Sequence, residues 1–250
     1  MRSAVARNNH SDKVDALQQS AMTPASIRGR EALSRLPLCA DIDRAELERI
    51  ASGAAEVTAH RGTYLYRRGD APTGLYVLYA GQVKLALHSD RGDERVVELV
   101  QPGTTFGESA LFSGRPHILT AEALVDSQLL HLPKDLLLTE MERDRRFSRA
   151  VMTLLGTALY RRLSEFEEYV LASGTERVIS FLLRGQNGDA VRSGDCVTLP
   201  ANKGIIASRL NLTHEHFSRI LRDLSDAGLI EVQGRDVRIL NEKRLYAYAG

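Results

Sequence analysis

Near Pro133 the periodicity of this sequence changes, and the change restricts the chain to folds that join a β-rich part to a helical part. Before Pro133, apolar and β-branched residues recur in short runs, starting at about Glu56. After it, apolar residues recur every three or four positions, which is the period of an α-helix. Strands and helices that are segregated along the sequence in this way predict the α+β class.

The β-rich part contains six short apolar runs separated by turn-forming residues. The predicted strands are residues 63–66, 75–79, 83–87, 95–100, 119–124 and 128–132. Turn signals such as Ala80-Gly81-Gln82 and Gln101-Pro102-Gly103 lie between them. Short strands that recur roughly every 8–12 residues are typical of a sandwich or barrel.

Residues 201–228 are predicted to form two helices joined by a turn. The first helix covers about residues 203–209, and Asn211 suits a left-handed turn position. Thr213 is a good N-cap for the second helix. That helix has one apolar face, formed by Phe217, Ile220, Leu221 and Leu224. The pattern indicates a helix-turn-helix, and an αα-hairpin in a plain helical domain is the alternative.

The other face of the second helix carries residue types that contact DNA bases and phosphates. Residues 201–222 contain four Lys and Arg side chains against one carboxylate. The predicted DNA-binding residues are Lys203, Thr213, His214, Glu215, His216, Ser218, Arg219 and Arg222. Two β-runs around Gln233-Gly234-Arg235-Asp236 follow and predict a hairpin, which completes a winged helix.

Residues 145–171 are predicted to form one long helix with an apolar stripe. Two partners are open for the stripe: the β-rich part of the same chain, or the same helix in a second chain. The period slips near Ala158, so the stripe is not a strict heptad. We favour a dimer helix, because a symmetric DNA reader requires two copies. The predicted dimer contacts are Val151, Leu154, Leu155, Ala158, Leu159 and Phe166.

The segment 198–240, TLPANKGIIASRLNLTHEHFSRILRDLSDAGLIEVQGRDVRIL, resembles the DNA-binding half of the CRP/FNR regulators. The resemblance extends from about Leu36 to the C-terminus and implies a cyclic-nucleotide-binding-like β-roll, a dimerisation helix and a winged helix-turn-helix. The spacing of Glu215, Ser218 and Arg219 is similar to that of the FNR-type reader, which implies a TTGAT-like half-site in a palindrome. The implied partners are double-stranded DNA, a second copy of the chain and RNA polymerase; activation is expected, with repression left open.

Residues 101–120 resemble the phosphate-binding cassette of cyclic-nucleotide domains, with one departure. His117 stands where the cassette has the arginine that neutralises the cyclic phosphate, and a neutral imidazole replaces a guanidinium poorly. Two bulky residues that follow it would crowd a nucleotide. The degenerate effector pocket is predicted to comprise Gly107, Glu108, Ser109, His117, Ile118 and Leu119. Cyclic AMP is therefore not the expected effector, although a cyclic-nucleotide-responsive regulator of this fold stays the alternative.

The phrases EHFSRI and GRDVRIL resemble the DNR-like branch of the family, which senses nitric oxide through haem in the control of denitrification. This resemblance implies haem b in the β-roll with a histidine as a candidate ligand. Sequence spacing does not choose among the sensor histidines, which are His60, His88, His117 and His131. The chain has two cysteines, Cys39 and Cys196, too few for the four thiolates of an iron–sulfur cluster.

These predictions divide the chain into a flexible tail at 1–30, a sensor domain at 31–144, a dimerisation helix at 145–171 and a winged helix-turn-helix at 172–250. No run of apolar residues is long enough to span a membrane, and the N-terminus lacks the apolar core of a secretory signal. We therefore expect a cytoplasmic protein. The sequence lacks the HExxH, Walker and GxGxxG motifs, so an enzyme is not expected.

Overall fold

A computed structural model describes residues 23–89, 91–184, 192 and 194–248 of the chain. The chain divides into two compact units. The sensor unit runs to Asp93 and continues over Val97–Leu159, and the C-terminal unit comprises Glu94–Val96 and the chain from Tyr160 onward. None of the helices in the described ranges is both long and apolar enough to cross a bilayer.

The sensor unit begins with a short strand and two helices. Strand β1 (Thr23–Pro24) pairs with β2 (Ala55–Ala59), helix α1 covers Ile27–Ser34, and α2 covers Arg44–Gly53. A 3-10 turn at Pro37–Cys39 separates the two helices. The flexible tail predicted for residues 1–30 is therefore wrong over 23–30, because this segment pairs with the sheet and starts a helix. The rest of the predicted tail lies outside the described residues.

Two antiparallel sheets form the body of the sensor unit. The remaining strands are β3 (Tyr64–Tyr66), β4 (Gly74–Ala80), β5 (Val83–His88), β6 (Glu94–Val100), β7 (Thr104–Phe106), β8 (Thr120–Ala123) and β9 (Ser127–Pro133). One sheet has the order β1-β2-β9-β4-β7 and the other β3-β8-β5-β6. All six predicted strands are confirmed, and β1, β2 and β7 were missed.

Strand β9 separates two hydrophobic cores. Leu129 packs in the core between the sheets, with Leu78 and Phe106, whereas Leu130 and Leu132 pack in the core beneath the helices. Alternate side chains of a strand point to opposite faces, so a continuous apolar run is what a strand buried on both faces requires.

Three helices complete this unit and lead out of it. Helix α3 covers Glu108–Ser113, α4 covers Lys134–Arg143, and the long α5 covers Arg145–Leu171, the bounds predicted for the dimerisation helix. Phe147 and Val151 of α5 are buried in the helical core of the sensor unit. Val151 therefore has no surface for a second chain, so the part of the apolar stripe that is available for a dimer begins further along the helix.

In its described residues, the C-terminal unit has a three-stranded sheet and four further helices. Helix α6 covers Gly174–Leu183, α7 Lys203–Arg209, α8 His214–Asp226 and α9 Glu242–Tyr248. Strands β10 (Cys196–Thr198), β11 (Ile230–Gln233) and β12 (Asp236–Ile239) form a sheet in the order β10-β12-β11. Helices α7 and α8 followed by the β11–β12 hairpin give the predicted winged helix-turn-helix.

Candidate functional site

The turn between α7 and α8 is held by local hydrogen bonds at both helix ends. Asn202 caps α7 by accepting from the Ile205 N–H at 2.9 Å, and Thr213 caps α8 by accepting from the His216 N–H at 3.1 Å. Asn211 adopts a φ of 54°, which confirms the predicted left-handed position. The backbone therefore reverses between the helices at a residue type that tolerates this conformation.

Helix α8 buries one face and exposes the other. The buried face is formed by the side chains of Phe217, Ile220, Leu221 and Leu224. The exposed face carries Glu215, Arg219 and Arg222, which the spacing of the helix places opposite that core. Within the part of the chain that the structure describes, neither guanidinium is held in an ion pair, so both can donate to an external acceptor.

The other predicted DNA-binding residues lie around this face. His214 is exposed at the first turn and Ser218 is half-buried on the same flank, whereas Lys203 is half-buried at the start of α7. His216 lies on the opposite flank, where its Cε1 would be 3.3 Å from a Cβ added at Gly174. His216 therefore faces helix α6 rather than the exposed face of α8, and its assignment to the DNA-binding set does not fit this structure.

Glu215 is exposed to solvent, and its carboxyl group is ionised. Its own backbone N–H and the Thr213 hydroxyl hold the pKa of this carboxyl below its ordinary value. An ionised carboxylate only accepts hydrogen bonds, which suits the amino group of cytosine. The exposed face of α8 therefore presents one hydrogen-bond acceptor, Glu215, followed by two donors, Arg219 and Arg222.

The wing is attached to the segment that precedes α7. Gly234 turns the β11–β12 hairpin with a φ of 63°. Next to it, the Arg235 guanidinium donates two hydrogen bonds to the Leu199 carbonyl, at 2.6 and 3.0 Å. This bidentate contact fixes the hairpin turn relative to the start of the helix-turn-helix.

In the sensor unit, His117 fills the space beside the cassette glycine. The imidazole is 5% exposed and stacks on the Tyr66 ring, with 3.7 Å between centroids. Gly107 adopts a φ of 95°, and a Cβ added there would lie 3.8 Å from both His117 and Tyr76. The region that should receive a cyclic phosphate is thus occupied by side chains of the chain itself.

The remaining residues of the predicted effector pocket do not converge on one space. Ser109 and Ile118 are exposed, Glu108 is half-buried, and Leu119 packs against the core between the sheets. The Ile118 side chain is 66% exposed, and the crowding of a nucleotide by Ile118 and Leu119 stays a prediction. Sequence reasoning missed Tyr66, which stacks on His117 from a distant strand, and also Tyr76 and Phe106, whose rings lie next to Tyr66.

The second buried histidine of the β-roll is His131, on β9. Burial lowers its pKa and that of His117, so both imidazoles are neutral. His131 Nε2 lies 3.1 Å from the Thr73 hydroxyl, and Nδ1 has no hydrogen-bond partner among the described residues. The Tyr76 ring lies 4.9 Å away, centroid to centroid. By contrast, His60 is exposed and lies 3.6 Å from Asp126.

Comparisons with known proteins agree with the division of the chain into a sensor unit and a C-terminal unit. A family model of the cyclic nucleotide-binding domain matches residues 56–144, and one of the Crp-like helix-turn-helix domain matches residues 176–248. The chain is 22% identical over 221 residues to the CRP-like cAMP-activated global transcriptional regulator of Mycobacterium tuberculosis, covering 86% of this chain and 97% of the relative. It is 26% identical over 198 residues to the fumarate and nitrate reduction regulatory protein of Vibrio cholerae, covering 76% of each.

Among solved structures, FixK2 from Bradyrhizobium japonicum shares the fold. The TM-score is 0.70 at 24% identity, and the match covers 79% of this chain and 98% of FixK2. The relative from Mycobacterium tuberculosis is named as a transcriptional regulator and the one from Vibrio cholerae as a regulatory protein, and neither name is that of an enzyme.

Proposed function

Because this chain belongs to the CRP/FNR family of transcription regulators, we propose that it binds a TTGAT-like palindrome as a homodimer. The observation that carries this proposal is the exposed face of α8, which carries the ionised Glu215 followed by Arg219 and Arg222, neither of which is in an ion pair among the described residues. Arginine donates to guanine and glutamate accepts from the cytosine amino group, so this set fits the G·C pair of the half-site. RNA polymerase is the partner proposed for activation, and occlusion by the same dimer would repress.

The proposal is tested by replacing Arg219 with alanine. We expect Arg219→Ala to cost about 1–3 kcal/mol of binding free energy per half-site on a TTGAT–N4–ATCAA duplex, measured by fluorescence anisotropy at fixed salt. Arg244→Ala is the control, since Arg244 is exposed in the same unit but lies on α9. An Arg219→Ala protein that binds as tightly as the Arg244→Ala protein would refute the assigned reader.

The second half of α5 supports the dimer. Its apolar side chains are exposed although nothing in the chain covers them within the described residues: Leu159, Leu163, Phe166 and Val170 are each between 57% and 63% exposed. They follow one another at intervals of three and four residues, so they form one stripe on the helix. A parallel second copy of α5 would bury this stripe.

For the signal, we propose nitric oxide bound to haem in the β-roll, in preference to a cyclic nucleotide. His131 supports the proposal of haem, because its buried imidazole is neutral and its Nδ1 has no hydrogen-bond partner among the described residues. A neutral imidazole with a free nitrogen is the form that ligates haem iron. His131 would hold the group, and the neighbouring Tyr76 ring would keep water from it. When bound, haem supplies an iron that takes diatomic gases. The signal would then shift the population between two dimer states.

Absorbance spectroscopy separates the two signals. We expect the protein reconstituted with haem to show a Soret band that moves when nitric oxide is added, and His131→Ala to weaken that band. His60→Ala is the control, because His60 is exposed. A featureless spectrum together with a rise in melting temperature on adding cyclic AMP would instead establish the cyclic-nucleotide alternative.

A further inference from the structure

Three carboxylates converge where helix α2 meets the junction of α4 and α5. Asp43 precedes α2, Glu46 lies in its first turn, and Asp144 stands between α4 and α5. One oxygen from each of the three lies within 4.8 Å of the others. All three belong to the sensor unit and lie outside the effector region.

Glu46 is the unusual member of this cluster. Its side chain is fully buried, and neither carboxylate oxygen has a hydrogen-bond partner among the described residues. A buried carboxyl group without a partner is costly, so such groups are normally paired or bound to a cation. One of its buried oxygens lies within 4.8 Å of an oxygen of each of the other two carboxylates.

The neighbouring cations are already engaged by other carboxylates. Arg146 donates from one nitrogen to Asp43 at 3.1 Å and to Asp144 at 2.6 Å. The buried Glu140 accepts from Arg49 at 3.0 Å and from Arg143 at 3.3 Å. The described surroundings of Glu46 therefore hold three other carboxylates, Asp43, Glu140 and Asp144, and three guanidinium groups that are hydrogen-bonded to those carboxylates.

The pKa of Glu46 agrees with this arrangement. Desolvation raises it to about 7, with a further contribution from Asp144 and Glu140, whereas Arg49 opposes the rise. The pKa of Asp144 is held well below its ordinary value by the Arg146 guanidinium. Burial and the neighbouring carboxylates therefore disfavour the ionised form of Glu46, and a cation in the cluster would favour it.

We propose that Asp43, Glu46 and Asp144 bind a divalent cation. The donor set is entirely carboxylate oxygen, without histidine or cysteine, so the expected ions are Mg²⁺, Mn²⁺ and Ca²⁺. Asp43 and Asp144 are both accessible from solvent, which gives the ion an entry path and room for water ligands. A bound ion would fasten the first turn of α2 to the start of α5. This site does not depend on the proposed DNA half-site or on haem.

The site is tested on the full chain after treatment with a chelator. We expect one Mn²⁺ ion per chain, detected by the loss of the free-ion electron paramagnetic resonance signal, with a dissociation constant on the order of 10⁻⁴ M. At a hundredfold excess over that constant, Mn²⁺ should raise the melting temperature of the sensor unit by roughly 5–10 °C.

Two variants localise the site. Glu46→Gln keeps the size of the buried group and removes its charge, and it should weaken Mn²⁺ binding at least tenfold and abolish the thermal shift. Asp43→Asn should also weaken binding while keeping the N-cap of α2, because asparagine caps as well as aspartate. The matched control is Glu48→Gln, which removes an exposed charge from the same helix and should bind Mn²⁺ like the parent.

Two results would overturn the proposal. One is Mn²⁺ binding to the parent that is no tighter than to the Glu46→Gln protein. The other is a sensor unit whose stability responds to pH but not to Mn²⁺, Mg²⁺ or Ca²⁺, which would show that protonation alone neutralises Glu46.

Discussion

Asn211 shows how one residue fixes the geometry of the helix-turn-helix. Its φ of 54° is unfavourable for a residue with a branched or bulky side chain and also for alanine, whereas asparagine and glycine tolerate it. We expect Asn211→Ala to destabilise α7 and α8 by about 1 kcal/mol and Asn211→Gly to have a much smaller effect. Hydrogen exchange of the amides in both helices measures this local stability. Equal losses of local stability in the two variants would show that the asparagine side chain, and not the φ angle, stabilises the turn.

His117 should make the stability of the sensor unit depend on pH. Burial lowers its pKa against a smaller opposing effect of Asp70, so the unfolded chain binds more protons than the folded one just below pH 6.5. By linkage, this contribution to stability is complete above about pH 6.5 and is lost as the pH falls. We expect the melting temperature of His117→Phe, which keeps a ring against Tyr66, to depend less on pH than that of the parent protein. Thermal unfolding between pH 5 and 8 measures this dependence.

The control for this experiment is His60→Asn, because His60 is exposed on the same unit. Its profile should follow that of the parent protein. A His117→Phe profile that also follows the parent would show that His117 does not titrate with folding, and that other buried groups, among them His131 and Glu46, account for any slope.

At the scale of elements, short-range patterns predict the existence of strands and helices but not what covers them. The strands were predictable because their apolar runs are bounded by turn residues. Strand β7 was not, since its three residues are too few for an alternating pattern. The apolar stripe of α5 was also recognised from its period. The period cannot distinguish Val151, which the chain buries itself, from Phe166, which it leaves exposed.

The exposed half of α5 gives a prediction about assembly. If a second α5 covers Phe166, Phe166→Glu puts a charge into an apolar interface without a partner and should convert the dimer to a monomer. Multi-angle light scattering measures the mass directly. The control is Thr157→Glu, which adds the same charge at an exposed position on the opposite face of the helix. Monomers from both variants, or from neither, would contradict an interface centred on this stripe.

At the scale of the whole molecule, the candidate DNA reader was easier to predict than the effector region. The residues of α8 lie within thirteen consecutive positions, and the period of the helix is enough to assign each of them to the buried or the exposed face. The Tyr66 ring that stacks on His117 lies on β3, far from His117 in the sequence, so this stack is a product of tertiary pairing that no local pattern contains. The sequence could show that an arginine was missing, but not that the imidazole fills the space.

The last prediction concerns the symmetry of the assembly on DNA. A two-fold dimer presents two copies of α8, and such readers bind half-sites about one helical turn apart, roughly 10 base pairs centre to centre. Inserting five base pairs between the half-sites turns the second one to the opposite side of the duplex. We expect the affinity to fall at least tenfold, to that of a duplex with one half-site, which serves as the control in the same anisotropy assay. Affinity that does not depend on the spacer would mean that each chain binds DNA alone, and would contradict the dimer even if Arg219→Ala behaves as expected.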